Sequence, residues 1–231
     1  MALVEEGIEL LRDPGAAGER MGLVSEALRS AGCVVESVSV PEHSLASLVA
    51  TPIYAEGICT QLFHSGGTSM GWKGFYPESE SVSMLRGIRT QPDLIPDTGK
   101  MFAMLGEHLR SVHLGRYYAR AQNIAVGLVG AYDEKLSDYD ALLMPTCAPE
   151  PVALPLPTDP TPDDVFDAAF GYHANAAPFN LTGHPALSVP AGELHGVPFG
   201  VMFVGTHRDD HTLLRIAAMV ERYAHVWGAT E

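Results

Sequence analysis

The first forty residues constrain the fold most, because they indicate a strand, a helix and a second strand in succession. Residues 1–7 form a short apolar run, and apolar side chains then recur on one face of a helix over residues 16–31. The segment CVVESVSV, Cys33–Val40, alternates and is rich in β-branched residues, which predicts a strand. This strand–helix–strand order is typical of α/β proteins, so we expect an α/β fold.

The rest of the chain continues the alternation of helices and strands. Short apolar segments bounded by proline and glycine predict three further strands, over Tyr139–Pro145, Pro185–Gly192 and Pro198–Gly205. Helical patterns cover residues 43–63, 79–90, 97–136 (as one helix or two abutting helices), 163–175 and 210–223. A proline-rich connector separates the strand at Tyr139–Pro145 from the helix that follows it.

Composition excludes several classes of function. The chain has 231 residues, 46% of them hydrophobic, and a formal net charge of −14, so a nucleic-acid backbone would be repelled. No apolar segment has the length of a membrane span, and the N-terminus lacks the pattern of a signal peptide. The three cysteines lie far apart, which predicts free thiols in a reducing compartment. We therefore expect a cytoplasmic protein that binds neither membranes nor nucleic acid.

The stretch GTSMG, Gly67–Gly71, fits the G-x-S-x-G pattern of the nucleophile elbow in serine hydrolases. The elbow requires a strand before the serine and a helix after it. Here the preceding residues have a helical pattern and the following residues resemble a loop. We therefore interpret GTSMG as a glycine-rich loop, and a serine esterase that uses Ser69 is the less favoured alternative.

The sequence signals for a metal site or a cofactor site are also weak. His207, Asp209, Asp210 and His211 form the tightest group of potential ligands, but their spacing matches no known zinc pattern. An aspartate at the N-cap of the last helix explains Asp209 or Asp210 equally well. No G-x-G-x-x-G or phosphate-loop motif occurs. We therefore expect neither a metal nor a cofactor.

Three segments carry a more specific signal: YDALLMPT at 139–146, APFNLTGHPALSVPAG at 177–192 and GVPFGVMFVGTHRDDHTLLRIA at 196–217. In this order they resemble the C-terminal region of the amidase signature family. The resemblance is to bacterial amidases of small aliphatic and aryl carboxamides. It implies the C-terminal part of the amidase signature fold, a mixed β-sheet core flanked by helices.

The resemblance also implies what this sequence lacks. The family hydrolyses amides with a lysine, a serine in a Gly-Ser-rich loop and a second, bridging serine, and the stretch that corresponds to GTSMG is a loop. No GGSSGG-like loop occurs here, and neither Lys73, Lys100 nor Lys135 has a matching context. We therefore expect residues 1–231 to form a partial amidase domain, the C-terminal half, without the half that bears the nucleophile and without catalytic residues.

By position in the family, part of the substrate pocket would remain. The residues predicted to face the acyl or aryl part of a substrate are Ala50, Thr51, Tyr54, Thr146, Cys147, Phe179 and Asn180. Ordinary packing is the alternative for each, and it is at least as strong for Phe179 and Asn180.

The expected function is thus a pocket wall and scaffold of a carboxamide amidase, which would bind a small amide only when the missing half is supplied. A non-catalytic binding or assembly module on the same scaffold is the alternative. Loss of half the fold would expose the faces of strands such as PFGVMFVG and ALSVPA. Exposed strands favour association. We therefore expect a homo-oligomer or a complementing segment.

Overall fold

The computed structural model describes residues 1–68, 73–147, 158–170 and 173–223. The chain divides into two units, which are considered separately. Unit 1 contains Met1–Ser47 and the described residues from Ala125 onward, and unit 2 is Leu48–Ile124.

Unit 1 contains a sheet whose strands, among the described residues, have the order β2-β1-β3-β5-β4. The strands are β1 (Ala2–Val4), β2 (Glu36–Val38), β3 (Leu142–Pro145), β4 (Ala186–Leu194) and β5 (Val197–Val204). β1 pairs in parallel with β2 and with β3, whereas β5 runs antiparallel to both β3 and β4. The sheet is therefore mixed, as the family resemblance implies.

Helices separate β1, β2, β3 and β4 along the chain, whereas a short turn joins β4 to β5. The helices are α1 (Glu6–Glu9), α2 (Pro14–Ser30), α3 (Ala46–Ile58), α4 (Glu78–Thr90), α5 (Asp97–His113), α6 (Arg116–Leu136), α7 (Pro162–Phe170), α8 (Ala177–Thr182) and α9 (Asp210–Tyr223). Short 3-10 helices cover Pro41–Leu45 and Pro92–Leu94, and a π-helical segment, Cys59–His64, extends α3. In the described part of the chain no helix is both long enough and apolar enough to cross a membrane.

The predicted strand–helix–strand unit at the N-terminus is confirmed as β1, α2 and β2. The carboxylate of Asp13 accepts a hydrogen bond of 3.0 Å from the backbone N–H of Ala16, and Pro14 occupies the first turn of α2. Both features fix the start of the helix. β2 is shorter than the segment Cys33–Val40 that its composition predicts, since only Glu36–Val38 pairs with β1.

The core of unit 1 lies on both faces of the sheet. Val201 and Phe203 of β5 pack into one apolar cluster with buried side chains of α2 and α9. Met202 and Val204 belong to a second cluster, which includes buried side chains of α6. The prediction that PFGVMFVG would be left exposed is therefore wrong for this strand, because helices cover both of its faces.

The edge strand β4 differs from β5. Its side chains alternate, with Val189 and Ala191 buried and Ala186, Ser188 and Pro190 exposed. The prediction of an exposed face is therefore confirmed for ALSVPA. β4 is also the last strand of the described sheet, and the open edge of such a strand is a surface on which a sheet can be extended by another segment.

The regular secondary structure of unit 2 is helical in its described residues. It comprises α3 from Leu48 onward, α4, α5 and the first half of α6. The segment 97–136, for which the sequence allows one helix or two, is two helices, because Leu114 and Gly115 adopt positive φ angles of 57° and 74°. Gly106 of α5 lies so close to Ala55 of α3 that a Cβ atom would overlap the Ala55 carbonyl group.

Leu213→Ala and Leu214→Ala form a matched pair on α9. The side chain of Leu213 is 2% exposed within the first apolar cluster, whereas that of Leu214 is 60% exposed. We expect Leu213→Ala to lower the free energy of unfolding by about 2–5 kcal/mol because it leaves a cavity. Leu214→Ala should change it by less than about 0.5 kcal/mol. Urea unfolding followed by circular dichroism measures both, and equal effects would contradict this placement of α9.

Candidate functional site

Thr146 lies directly after β3, where the chain leaves the sheet. Its backbone N–H donates a 2.9 Å hydrogen bond to the Gly200 carbonyl oxygen, and its Oγ1 lies 2.6 Å from Oγ of Ser188 on β4. A Cβ atom at Gly200 would come within 3.0 Å of the Thr146 hydroxyl and 3.1 Å of the Ser188 hydroxyl. Glycine at position 200 therefore leaves room for this pair of hydroxyl groups.

Cys147 follows Thr146 and is an exposed residue with a free thiol. Partial burial nevertheless raises the pKa of the Cys147 thiol. A thiol with a raised pKa is protonated at neutral pH and is a poor nucleophile. The raised pKa is unfavourable for a catalytic role, and a lining role for Cys147 stays a prediction. All three cysteines lie in described residues and are free thiols, as the sequence predicts.

Asn175 links α1, which follows β1, to the carboxyl end of β3. Its buried Nδ2 donates hydrogen bonds of 2.8 Å to the Gly7 carbonyl oxygen and 2.7 Å to the Pro145 carbonyl oxygen. Because β1 and β3 are parallel, both strands end at the same edge of the sheet. Ligands commonly bind at this edge in α/β proteins. Sequence reasoning missed Asn175, whose only signal is its place shortly before the segment APFNLTG.

A buried histidine continues this network. His43 Nε2 lies 3.0 Å from Oδ1 of Asn175, and His43 Nδ1 lies 2.8 Å from the Tyr132 hydroxyl. The Asn175 oxygen can only accept, so Nε2 of His43 carries the proton and the Tyr132 hydroxyl donates to Nδ1. Burial lowers the pKa of His43, which keeps the ring neutral, and burial likewise raises the pKa of Tyr132.

Phe179 and Asn180 lie side by side on α8 but have different environments. The Phe179 ring is buried, with its centroid 5.0 Å from that of Tyr132 and 6.3 Å from that of His43. Asn180 is exposed. Gly183 ends α8 with a φ of 74°, a left-handed conformation that favours glycine. Phe179 thus packs in the core of unit 1, and substrate contact by either residue stays a prediction.

The other predicted pocket residues belong to α3 in unit 2. Ala50 is buried, and Thr51 and Tyr54 are half-buried. Thr51 lines an open cavity of about 480 Å³ together with mainly apolar side chains, including Pro52, Leu105 and Ile124. This volume is in the range typical of small-molecule sites. The structure therefore places Thr51, of the three, beside a cavity.

The structure describes two motifs from the sequence to different extents: GTSMG, and the group of potential ligands around His207. Ser69 of GTSMG lies outside the described residues, but the segment before it is helical to His64, as predicted. Asp209 accepts a 3.3 Å hydrogen bond from the backbone N–H of Thr212, so its interpretation as the cap of α9 is confirmed. His207 instead approaches Asp133 of α6, with Nδ1 3.6 Å from Oδ1.

Comparison with known proteins identifies the family to which this arrangement belongs. The chain matches the family described as Amidase over residues 16–214. An enantioselective amidase from Rhodococcus rhodochrous is 34% identical over 219 residues, which cover 94% of this chain and 42% of that protein. An uncharacterised protein in the nthA 5′ region of Rhodococcus erythropolis is 37% identical over 172 residues, or 74% of this chain and 85% of that protein.

A solved structure of 6-aminohexanoate cyclic dimer hydrolase has the same fold, with a TM-score of 0.67 at 20% identity over 96% of this chain and 44% of that one. This likeness shows that the chain has the α/β fold of that structure. The chain belongs to the amidase family. It spans less than half the length of the enantioselective amidase.

The buried His43 predicts that acid destabilises the protein. The folded state lowers the pKa of His43, so between that value and about pH 6.5 the unfolded chain binds the extra proton. Stability should therefore fall as the pH drops below about 6.5, by up to about 1.4 kcal/mol per pH unit from this residue. Urea unfolding between pH 7.5 and 5.5 measures the slope.

His43→Gln should reduce that slope, even though the variant is less stable at every pH. His211→Gln is the matched control, because His211 is exposed at the start of α9. An unchanged slope in His43→Gln would show that His43 does not change its protonation on unfolding.

Proposed function

We propose that this chain supplies the substrate-pocket wall and scaffold of an amidase that hydrolyses small carboxamides to a carboxylate and ammonia. The observation that carries the proposal is the family match over residues 16–214, combined with the lack of a Gly-Ser-rich nucleophile loop in the printed sequence. In this proposal residues 1–231 are the C-terminal half of the amidase domain. A segment outside the printed sequence provides the nucleophile, its lysine partner and the oxyanion donors.

The edge of the sheet in unit 1 supports a lining role. Thr146 presents a hydroxyl that is already paired with Ser188, and Cys147 presents a neutral thiol. Neither arrangement provides a base that would activate a nucleophile. Both side chains are suited to line a pocket, with the loops around them held by Asn175.

The apolar lining of the cavity beside Thr51 supports small carboxamides as the class of substrate. Its lining is mainly aliphatic, which suits the uncharged acyl or aryl portion of a carboxamide. Tyr117 and Arg120 add polar groups to the lining. We propose that this cavity receives the apolar part of the substrate.

The partner is either the missing half of the domain or another copy of the chain. Several large apolar side chains are exposed, which favours association. They include Val34, Leu48, Phe75, Leu94, Leu114 and Val126. A segment that extends the sheet from the open edge of β4 would also complete an amidase domain.

A fluorophosphonate probe tests whether this chain carries its own serine nucleophile. We expect no covalent adduct on the folded chain, as measured by intact mass and peptide mapping, because the nucleophile belongs to the other half. The control is Ser69→Ala, which should behave identically. Labelling of Ser69 that disappears in Ser69→Ala would instead identify GTSMG as a nucleophile elbow and the protein as a serine esterase.

Complementation tests the amidase proposal directly. We would co-express the chain with the N-terminal part of the Rhodococcus rhodochrous amidase and measure ammonia release from aliphatic and aryl carboxamides. The pair should form a complex in sedimentation and release ammonia, whereas the chain alone should not. A folded complex without activity would favour the alternative, a non-catalytic binding or assembly module.

Substitution in the cavity then tests the pocket. Thr51→Trp should reduce the volume of the cavity. The KM for aryl amides should therefore rise by at least about tenfold more than the KM for small aliphatic amides. Thr60→Trp is the matched control, because Thr60 is exposed and is not among the residues that line the cavity. Equal effects of the two substitutions would show that the cavity does not bind substrate.

A further inference from the structure

Three potential metal ligands that the proposed reaction does not use come together in unit 1. Asp133 lies near the end of α6, His184 follows α8, and His207 follows β5. Asp133 Oδ1 is 3.2 Å from His184 Nε2 and 3.6 Å from His207 Nδ1, and the two imidazole centroids are 3.9 Å apart. All three ligand atoms lie within 4.8 Å of one another.

Thr182 orients both imidazole rings toward Asp133. His207 Nε2 lies 2.9 Å from the Thr182 carbonyl oxygen, and His184 Nδ1 lies 2.9 Å from Thr182 Oγ1. Metal-binding histidines in proteins are typically held in this way, with one ring nitrogen on a carbonyl or hydroxyl group and the other directed at the metal. A single residue at the end of α8 thus fixes the orientation of both rings.

The tautomer of His207 leaves an electrostatic conflict. A carbonyl oxygen only accepts, so Nε2 of His207 must carry a proton and donate it to Thr182. In a neutral ring, Nδ1 then directs a lone pair at the Asp133 carboxylate, 3.6 Å away. Two electron-rich atoms at this distance repel each other. A proton on Nδ1 or a cation between the two groups would remove the repulsion.

The neighbouring His184 favours a metal cation over a second proton. Its side chain is fully buried, and a charged imidazolium ring is costly to place away from water. The neutral ring is the form in which histidine binds metals. Two imidazolium rings with centroids 3.9 Å apart would also repel each other. One divalent ion satisfies the carboxylate and both neutral rings together.

A second cluster of potential metal ligands lies in unit 2, but its carboxylate is already paired with an arginine. Cys59, His64 and Glu107 also lie within ligand distance of one another. However, both carboxylate oxygens of Glu107 accept hydrogen bonds from Arg110, at 2.8 and 2.9 Å. That charge is already balanced by a cation. Among the described residues, Asp133 has ion-pair contacts with the two histidines and with no lysine or arginine.

We propose that Asp133, His184 and His207 form a binding site for a divalent transition metal, with Zn²⁺ as the best fit. Tetrahedral ligands at about 2.0–2.2 Å from zinc lie about 3.4 Å apart, close to the separations of 3.2 and 3.6 Å found here. Asp133 is 50% exposed and His207 is 38% exposed, so the ion can enter from solvent and water can complete its coordination. The ion would cross-link α6 to the segments that follow α8 and β5.

Isothermal titration of the purified, chelator-treated chain with ZnCl₂ tests the site. We expect one equivalent of Zn²⁺ to bind and the melting temperature to rise with the Zn²⁺ concentration. Co²⁺ in place of Zn²⁺ should give the visible absorption bands of a low-symmetry N/O site. No binding of Zn²⁺ or Co²⁺ by the folded chain would overturn the proposal.

Substitutions locate the site. His207→Ala and Asp133→Asn alter exposed side chains, so the variants should fold, and each should weaken Zn²⁺ binding by at least about tenfold. The matched control is His211→Ala, which removes an exposed histidine four residues from His207 and should leave the affinity unchanged. If His64→Ala abolishes binding while His207→Ala does not, the metal belongs to the cluster in unit 2 and the proposal is wrong.

Discussion

The pairing of β3 with β5 is the interaction on which unit 1 depends. Leu142–Pro145 of β3 pair antiparallel with Val201–Val204 of β5, and both segments are buried. Their side chains point alternately to the two faces of the sheet, so seven of these eight residues, all except Pro145, contribute to the apolar clusters on the two sides. The loops that carry Thr146 and His207 leave this strand pair directly, and their positions follow from its register.

Polar contacts then determine the geometry around this apolar centre. Asn175 is buried and uses both amide protons on the carbonyl groups of Gly7 and Pro145, while its oxygen accepts from His43. A buried amide with every group satisfied is a strong geometric constraint, because any displacement leaves an unpaired polar group. The network therefore fixes the edge of the sheet at which the pocket wall is proposed.

The two proposals assign different tasks to different parts of the chain. Substrate lining is assigned to the residues after β3 and to the cavity beside Thr51 in unit 2, where the groups are neutral or apolar. Metal binding is assigned to Asp133 and two histidines, where a carboxylate faces two imidazole nitrogens. A metal ion at the second site would stabilise the scaffold of unit 1 and takes no part in amide hydrolysis.

Much of the fold and the family can be predicted from the sequence, because these depend on local patterns. Alternation and helical periodicity locate the strand–helix–strand unit and the final helix, and the segments at 139–146, 177–192 and 196–217 together indicate the amidase family. Periodicity also locates the segments that form the two helices α5 and α6. It does not locate the break at Leu114, because glycines lower helix propensity without fixing a boundary.

The tertiary structure decided the contacts between distant segments. The sequence places His207 beside Asp209 and Asp210, but Asp209 caps α9 and His207 turns to Asp133, 74 positions earlier in the chain. The sequence likewise does not show which helices cover β5, because α2 and α9 on one face and α6 on the other lie far from one another in the chain. Periodicity reports which face of an element is apolar, whereas the identity of the partner depends on how the whole chain packs.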